Sequence, residues 1–126
     1  MHRRTREAEL RERIATLRRE IPDIALRTTL ITGFPGETEE DFDILKNFVT
    51  EMRFDRLGVF PYSQEEDTPA AEMEGQVPEK IKLQRQDEIM RLQQGIAFEK
   101  AREQIGRELR VIIVGYDPEH NEYLCR

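Results

Sequence analysis

The chain has 126 residues, enough for about one domain, and is 37% charged against 37% hydrophobic. No stretch is long and apolar enough to span a membrane, and the basic start MHRRTREAELRER lacks the apolar segment of a secretory signal, so a cytoplasmic setting is expected. Cys125, the single cysteine, excludes an internal disulfide and a Cys-rich metal site built by this chain alone, while His2 and His120 stand far apart in polar surroundings and read as surface residues.

The formal net charge of −6 is unevenly spread. Residues 1–20 carry seven Arg against four Glu, and residues 37–80 carry thirteen acids against four bases. Phosphate repulsion makes nucleic acid a poor partner for the acidic half. A basic protein suits it better, with a plain solvated face as the alternative.

In chain order, residues 5–21 read as an amphipathic helix capped by Thr5, with Leu10, Ile14, Leu17 and Ile21 in one stripe and Pro22 after its end. Residues 25–32 read as a buried strand. Leu26, Thr28 and Leu30 lie on one side of it, and Arg27, Thr29 and Ile31 on the other. A Gly-Pro-Gly turn follows. Thr38 is the expected N-cap of the next helix, whose acidic first turn suits the positive helix end. That helix presents Phe42, Leu45, Phe48, Val49 and Met52 on one face. A second strand covers 56–60. The α-β-α-β order predicts a parallel sheet, and two strands are few for one.

Residues 61–77 read as an acidic loop. Pro78 opens a long helix to about Ile105, with Ile81, Ile89, Leu92, Ile96, Ala101 and Ile105 as its apolar members and Gly106 as its C′ residue. From Leu109 the pattern turns to period two, and a β-hairpin is expected through the turn YDPEHNE. An isolated hairpin is marginal, so both ends of the chain read as cut.

The most informative stretch is LITGFPGETEEDF, Leu30 to Phe42. It joins a strand end, a glycine-rich turn and a capped helix start. The combination is common in α/β proteins, and it is also where such sheets bind ligands. The string resembles the IxGxPGE element of radical S-adenosylmethionine (SAM) methylthiotransferases. The resemblance extends over nearly the whole chain, through ALRTTLITGFPGETEEDF, FDRLGVFPYSQEEDTPAA, the QVPEKIK helix and GRELRVIIVG. The Leu26-Arg27-Thr28-Thr29 strand and the Phe54–Phe60 run with Tyr62-Ser63 and Glu65-Glu66 resemble the branch that modifies a ribosomal protein. The tRNA-modifying branch usually carries Ser/Thr-Asp in the strand and Pro-Arg-Pro-Gly-Thr after the Tyr-Ser pair. Asp67 departs from the family, which usually has Gly there, and a positive φ suits Asp less well than Gly.

The resemblance implies an α/β fold in three parts. Residues 1–75 would be the C-terminal portion of a radical SAM barrel of partial TIM type, 76–105 a linker helix, and 106–126 the start of a small OB-like β module called TRAM. Met1 would then match an internal methionine. It implies a transferase that adds a methylthio group to the β-carbon of an aspartate in small-subunit ribosomal protein S twelve, with SAM and two [4Fe–4S] clusters as cofactors. The CxxxCxxC loop and the cysteines of the second cluster are not in this sequence. Cys125 alone cannot hold a cluster, so no catalytic residue is expected here and the chain alone should be inactive.

The implied SAM contacts are Ile31, Gly33, Phe34, Pro35 and Gly36, packing on adenine and ribose, with Tyr62 and Ser63 on the same rim and Thr29 adding a hydroxyl. Arg27, the one cation of its strand, is a candidate for the SAM carboxylate or for a structural pair with a nearby acid. Glu37 reads as a loop-ordering acid. A tRNA methylthiotransferase fragment and a non-catalytic acidic fragment that binds a basic protein remain as alternatives.

Overall fold

A computed structural model describes residues 6–126. Helix α1 spans Glu7–Glu20, strand β1 Arg27–Thr32, helix α2 Glu39–Met52, strand β2 Arg56–Pro61, helix α3 Glu79–Gln104, strand β3 Ile113–Asp117 and strand β4 Glu122–Cys125, with a 3-10 turn at Pro69–Glu72 in the acidic loop. The expected helix–strand alternation is present. β1 and β2 pair in parallel from Arg27 opposite Arg56 to Thr32 opposite Pro61.

Residue Arg6 occupies the N-cap of α1 without a side-chain cap, and the expected cap Thr5 lies outside the described residues. Only Ile14 of the predicted stripe is buried; Leu10, Leu17 and Ile21 are half exposed. At α2 the local chemistry is as expected. The Thr38 hydroxyl accepts from the Asp41 N–H at 3.1 Å, and the Asp41 carboxylate accepts from the Thr38 N–H at 3.0 Å. These bonds from Thr38 pull the Asp41 carboxyl below its usual range. At the other end of α2, the Arg18 guanidinium donates to the carbonyls of Met52 and Arg53, which the helix leaves without partners.

The main core joins Phe42 and Val49 of α2 to Val59 of β2 and to Ile89 and Ile96 of α3, with Leu30 packed against them. A second cluster joins Ile14, Phe48 and Phe54. β1 is not buried on both sides as expected. Thr28, Leu30 and Thr32 turn inward, while Arg27, Thr29 and Ile31 face outward, because the described residues supply no layer over that side.

Two features of the second half differ from expectation. The buried stripe of α3 is Lys82, Arg85, Ile89, Gln93 and Ile96, three of the five polar, whereas Ala101 and Ile105 are exposed. The strand expected from Leu109 begins at Ile113. Ile112 exchanges backbone bonds with Arg126, and Leu109–Val111 have no partner strand among the described residues. The hairpin itself forms, with Tyr116 and Tyr123 paired across it at 5.3 Å.

Asp55 ties three elements together. Its carboxylate accepts from the Leu26 N–H at 2.8 Å and from Lys100 Nζ at 3.2 Å. Partial burial works against the charge, but these two donors outweigh it and the carboxyl is held below its ordinary range. A depressed carboxyl contributes stability above the unfolded value of about 3.9, lost as pH falls through the folded value. Asp55→Asn is therefore expected to cost about 1 kcal/mol at pH 7. The gap from wild type should close on acidification, as read by urea melts across pH.

Candidate functional site

The loop after β1 is built by hydrogen bonds within itself and to two distant segments. Gly33 has φ +73, and its N–H donates to Glu37 Oε1 at 3.0 Å. The Glu37 N–H returns to the Phe34 carbonyl at 2.9 Å, and the Gly36 N–H donates to the Gly75 carbonyl at 2.9 Å. The Tyr62 N–H donates to the Thr32 carbonyl at 2.8 Å, which holds the exits of both strands side by side.

Helix α3 closes the loop from behind. Arg85 Nη1 lies 2.7 Å from Glu37 Oε1, and Nη2 lies 2.8 Å from Glu39 Oε1. Burial opposes the Arg85 cation, yet the bonds to Glu39 and Glu37 raise its pKa. Lys82 Nζ donates to the Tyr62 carbonyl at 3.1 Å and lies 5.1 Å from the centre of the Tyr62 ring. Glu37 is thus a loop-ordering acid, as its position suggested.

In front of the loop is a groove of about 470 Å³, a volume suited to a small organic ligand. Thr29 and Ile31 of β1 form one part of its wall, Phe60 and Pro61 of β2 another, and Phe34, Tyr62 and Ser63 the rim. The Phe34 and Tyr62 rings meet edge to face at 5.3 Å. Ser63 Oγ donates to Glu65 at 2.7 Å, and the buried Tyr62 hydroxyl has no partner among the described residues.

No protein-family model matches the chain. Curated relatives do. A protein of Lachnoclostridium phytofermentans named ribosomal protein uS12 methylthiotransferase RimO is 64% identical over 115 residues, covering 91% of this chain and 26% of that protein. Proteins of the same name from Geobacter sulfurreducens and Anaeromyxobacter sp. are 56% and 53% identical, covering 94% and 92% of this chain. Over nine tenths of its length the chain is similar to RimO methylthiotransferases. It spans about a quarter of the length of the curated relatives it matches.

Within this segment, five residues singled out from sequence meet at the groove: Thr29, Ile31, Phe34, Tyr62 and Ser63. Gly33, Pro35 and Gly36 shape the turn behind Phe34 without lining the groove. Arg27 is at the opposite end of β1, exposed and directly across from Arg56. Among the described residues neither arginine forms an ion pair. Phe60, Pro61, Thr68 and Ala70 also line the groove and were not expected there from sequence, and Glu65, read only as a mark of the branch, joins them. Phe60 shares the register position of Ile31, a placement visible only once the strand pairing is known. Lys82 and Arg85 were missed because a cation in a helix carries no burial signal of its own.

Asp67, in the loop beside the groove, adopts φ +61. This is the left-handed conformation that the family's usual Gly would adopt more readily.

Proposed function

We propose that the chain is the C-terminal part of a RimO enzyme that methylthiolates an aspartate of ribosomal protein uS12. Residues 1–75 close a radical SAM barrel, 76–105 link it to a TRAM module, and 106–126 begin that module. The observation that carries this reading is the high identity to proteins of that name together with an apolar, aromatic-rimmed groove at the carboxyl ends of two parallel strands. The names of these relatives do not favour the tRNA reading.

The groove suits the adenine and ribose of SAM. Ile31 and Phe60 offer an apolar wall, and Phe34 and Tyr62 aromatic edges. Arg27 is the residue we assign to the SAM carboxylate. Arg27 and Arg56 share a register position on the two strands, and an anion on that face would be attracted by both.

The clusters fit this chain differently. Cys125 is exposed and is the sole thiol, so none of the residues here holds a [4Fe–4S] cluster. SAM, when bound in the full-length enzyme, supplies the family's radical chemistry. The residues of this segment bind and orient it. Glu65, Glu66, Asp67, Glu72 and Glu74 are exposed along the acidic loop and suit a basic ribosomal protein as partner rather than a nucleic acid. Among the described residues no helix is long and apolar enough to cross a membrane.

In the full-length enzyme, Phe34→Ala and Arg27→Ala are each expected to raise the Kd for SAM about tenfold, equivalent to about 1.4 kcal/mol. Calorimetric titration reads this directly. Wild-type affinity in both folded variants would overturn the assignment of the groove.

A further inference from the structure

We propose that Lys82 and Arg85 of α3 are positioning residues that fix the edge-to-face pair of Phe34 and Tyr62 on the rim of the groove. The proposal rests on the reading of that groove as the SAM site. The two cations sit three residues apart and so share one helix face. Both are buried, at 6% and 5% exposure, where a cation is retained only with good partners. Neither lines the groove. Each instead holds one ring of that rim pair from behind.

On the rim, Tyr62 depends on Lys82. Its ammonium donates to the Tyr62 carbonyl and lies over the Tyr62 ring. Its backbone carbonyl accepts from the Thr32 hydroxyl at 3.2 Å, at the end of the neighbouring strand. The rim partner of Tyr62, Phe34, depends on Arg85. Its guanidinium holds Glu37, and the same Glu37 oxygen receives the Gly33 N–H, so the turn 33–37 around Phe34 is fixed through one carboxylate. The two supports also touch. A Cβ on Gly33 would lie 2.3 Å from Lys82 Cγ, so the Lys82 stem and the Gly33 backbone already fill the space between them. An apolar side chain at 82 or 85 could fill the same volume, but it would leave the Tyr62 carbonyl or the Glu37 carboxylate without its donor.

The test uses the full-length enzyme. Lys82→Met keeps the stem and removes the donor, Arg85→Gln removes the cation, Lys82→Arg restores one, and Phe34→Ala serves as the reference for the groove. SAM Kd is measured by calorimetry, and KM for SAM and kcat are measured with saturating ribosomal protein. Lys82→Met and Arg85→Gln are each expected to raise Kd and KM about fivefold, the weight of one hydrogen bond, with kcat at saturating SAM nearly unchanged. Lys82→Arg should recover most of the affinity. A purely structural role would lower the melting temperature and leave the Kd of the folded protein alone, and that outcome overturns the proposal. If Phe34→Ala weakens SAM binding while Lys82→Met and Arg85→Gln do not, the positioning role fails and the groove stands. If all three bind SAM normally, the groove assignment fails and takes this proposal with it. Should Arg85→Gln not fold, Glu37→Gln is judged by the same criteria, because it keeps the shape and discharges the pair.

Discussion

Phe42→Ala is expected to lower the stability of the full-length protein by about 3–5 kcal/mol, the range for removing a large aromatic from a core. Phe42 is 2% exposed and belongs to the main cluster, which draws its residues from α2, β2 and α3. Its ring also supports two cations, with Lys46 Nζ 5.0 Å and the Arg85 guanidinium carbon 5.4 Å from its centre. Truncation therefore opens a cavity and also withdraws a surface on which Arg85 rests. The loss should appear as a lower denaturation midpoint with an unchanged slope. A fall of under 1 kcal/mol would mean that Phe42 is not central to the core.

The second large effect is expected at Gly33. Gly33→Ala meets two obstacles at once. At φ +73 an L side chain is disfavoured by about 1–2 kcal/mol. The new Cβ would also overlap the Lys82 stem at 2.3 Å. The second obstacle is steric and local, so a partner substitution relieves it. The double variant Gly33→Ala with Lys82→Ala should lose less stability than the sum of the two single losses, by about 1 kcal/mol. Simple additivity would show that the Lys82 stem is free to move aside. SAM affinity should fall in Gly33→Ala, because the turn that carries Phe34 must shift.

These effects bear on what was readable from the sequence. The Thr38 cap, the acidic first turn and the inward face of α2 depend on neighbours within a few residues, and they are present as read. The parallel pairing follows from the helix between the strands. Glu37 was legible as a loop acid because its place beside two glycines and a helix start left few other uses. Its partner was not legible. Arg85 lies 48 residues later, on a helix whose buried stripe reads Lys-Arg-Ile-Gln-Ile. A hydrophobic period search passes over such a stripe, because its polar members are buried for the bonds they make to loop carbonyls and carboxylates. Gln86 reaching the Val59 carbonyl and Gln93 reaching the Phe54 carbonyl are of the same kind. The outward face of β1 was misread for a different reason. Its composition describes what it is built to contact, and that contact is not made among the described residues.

The hydrogen bonds that converge behind the groove impose an order of events on folding. Thr32, Tyr62 and Lys82 are bonded to one another, yet the first and last are 50 positions apart along the chain. The strand, the capped helix and their hydrophobic contact can assemble from residues 27–61 alone. The turn around Phe34 takes its final shape only when the first turns of α3 have docked, because its two clamps come from there. Closing contacts at such long separation is slow compared with forming local helix. On a translating ribosome, which extends the chain at about 5–20 residues per second, the final geometry of the groove is therefore a late product that waits for α3 to emerge.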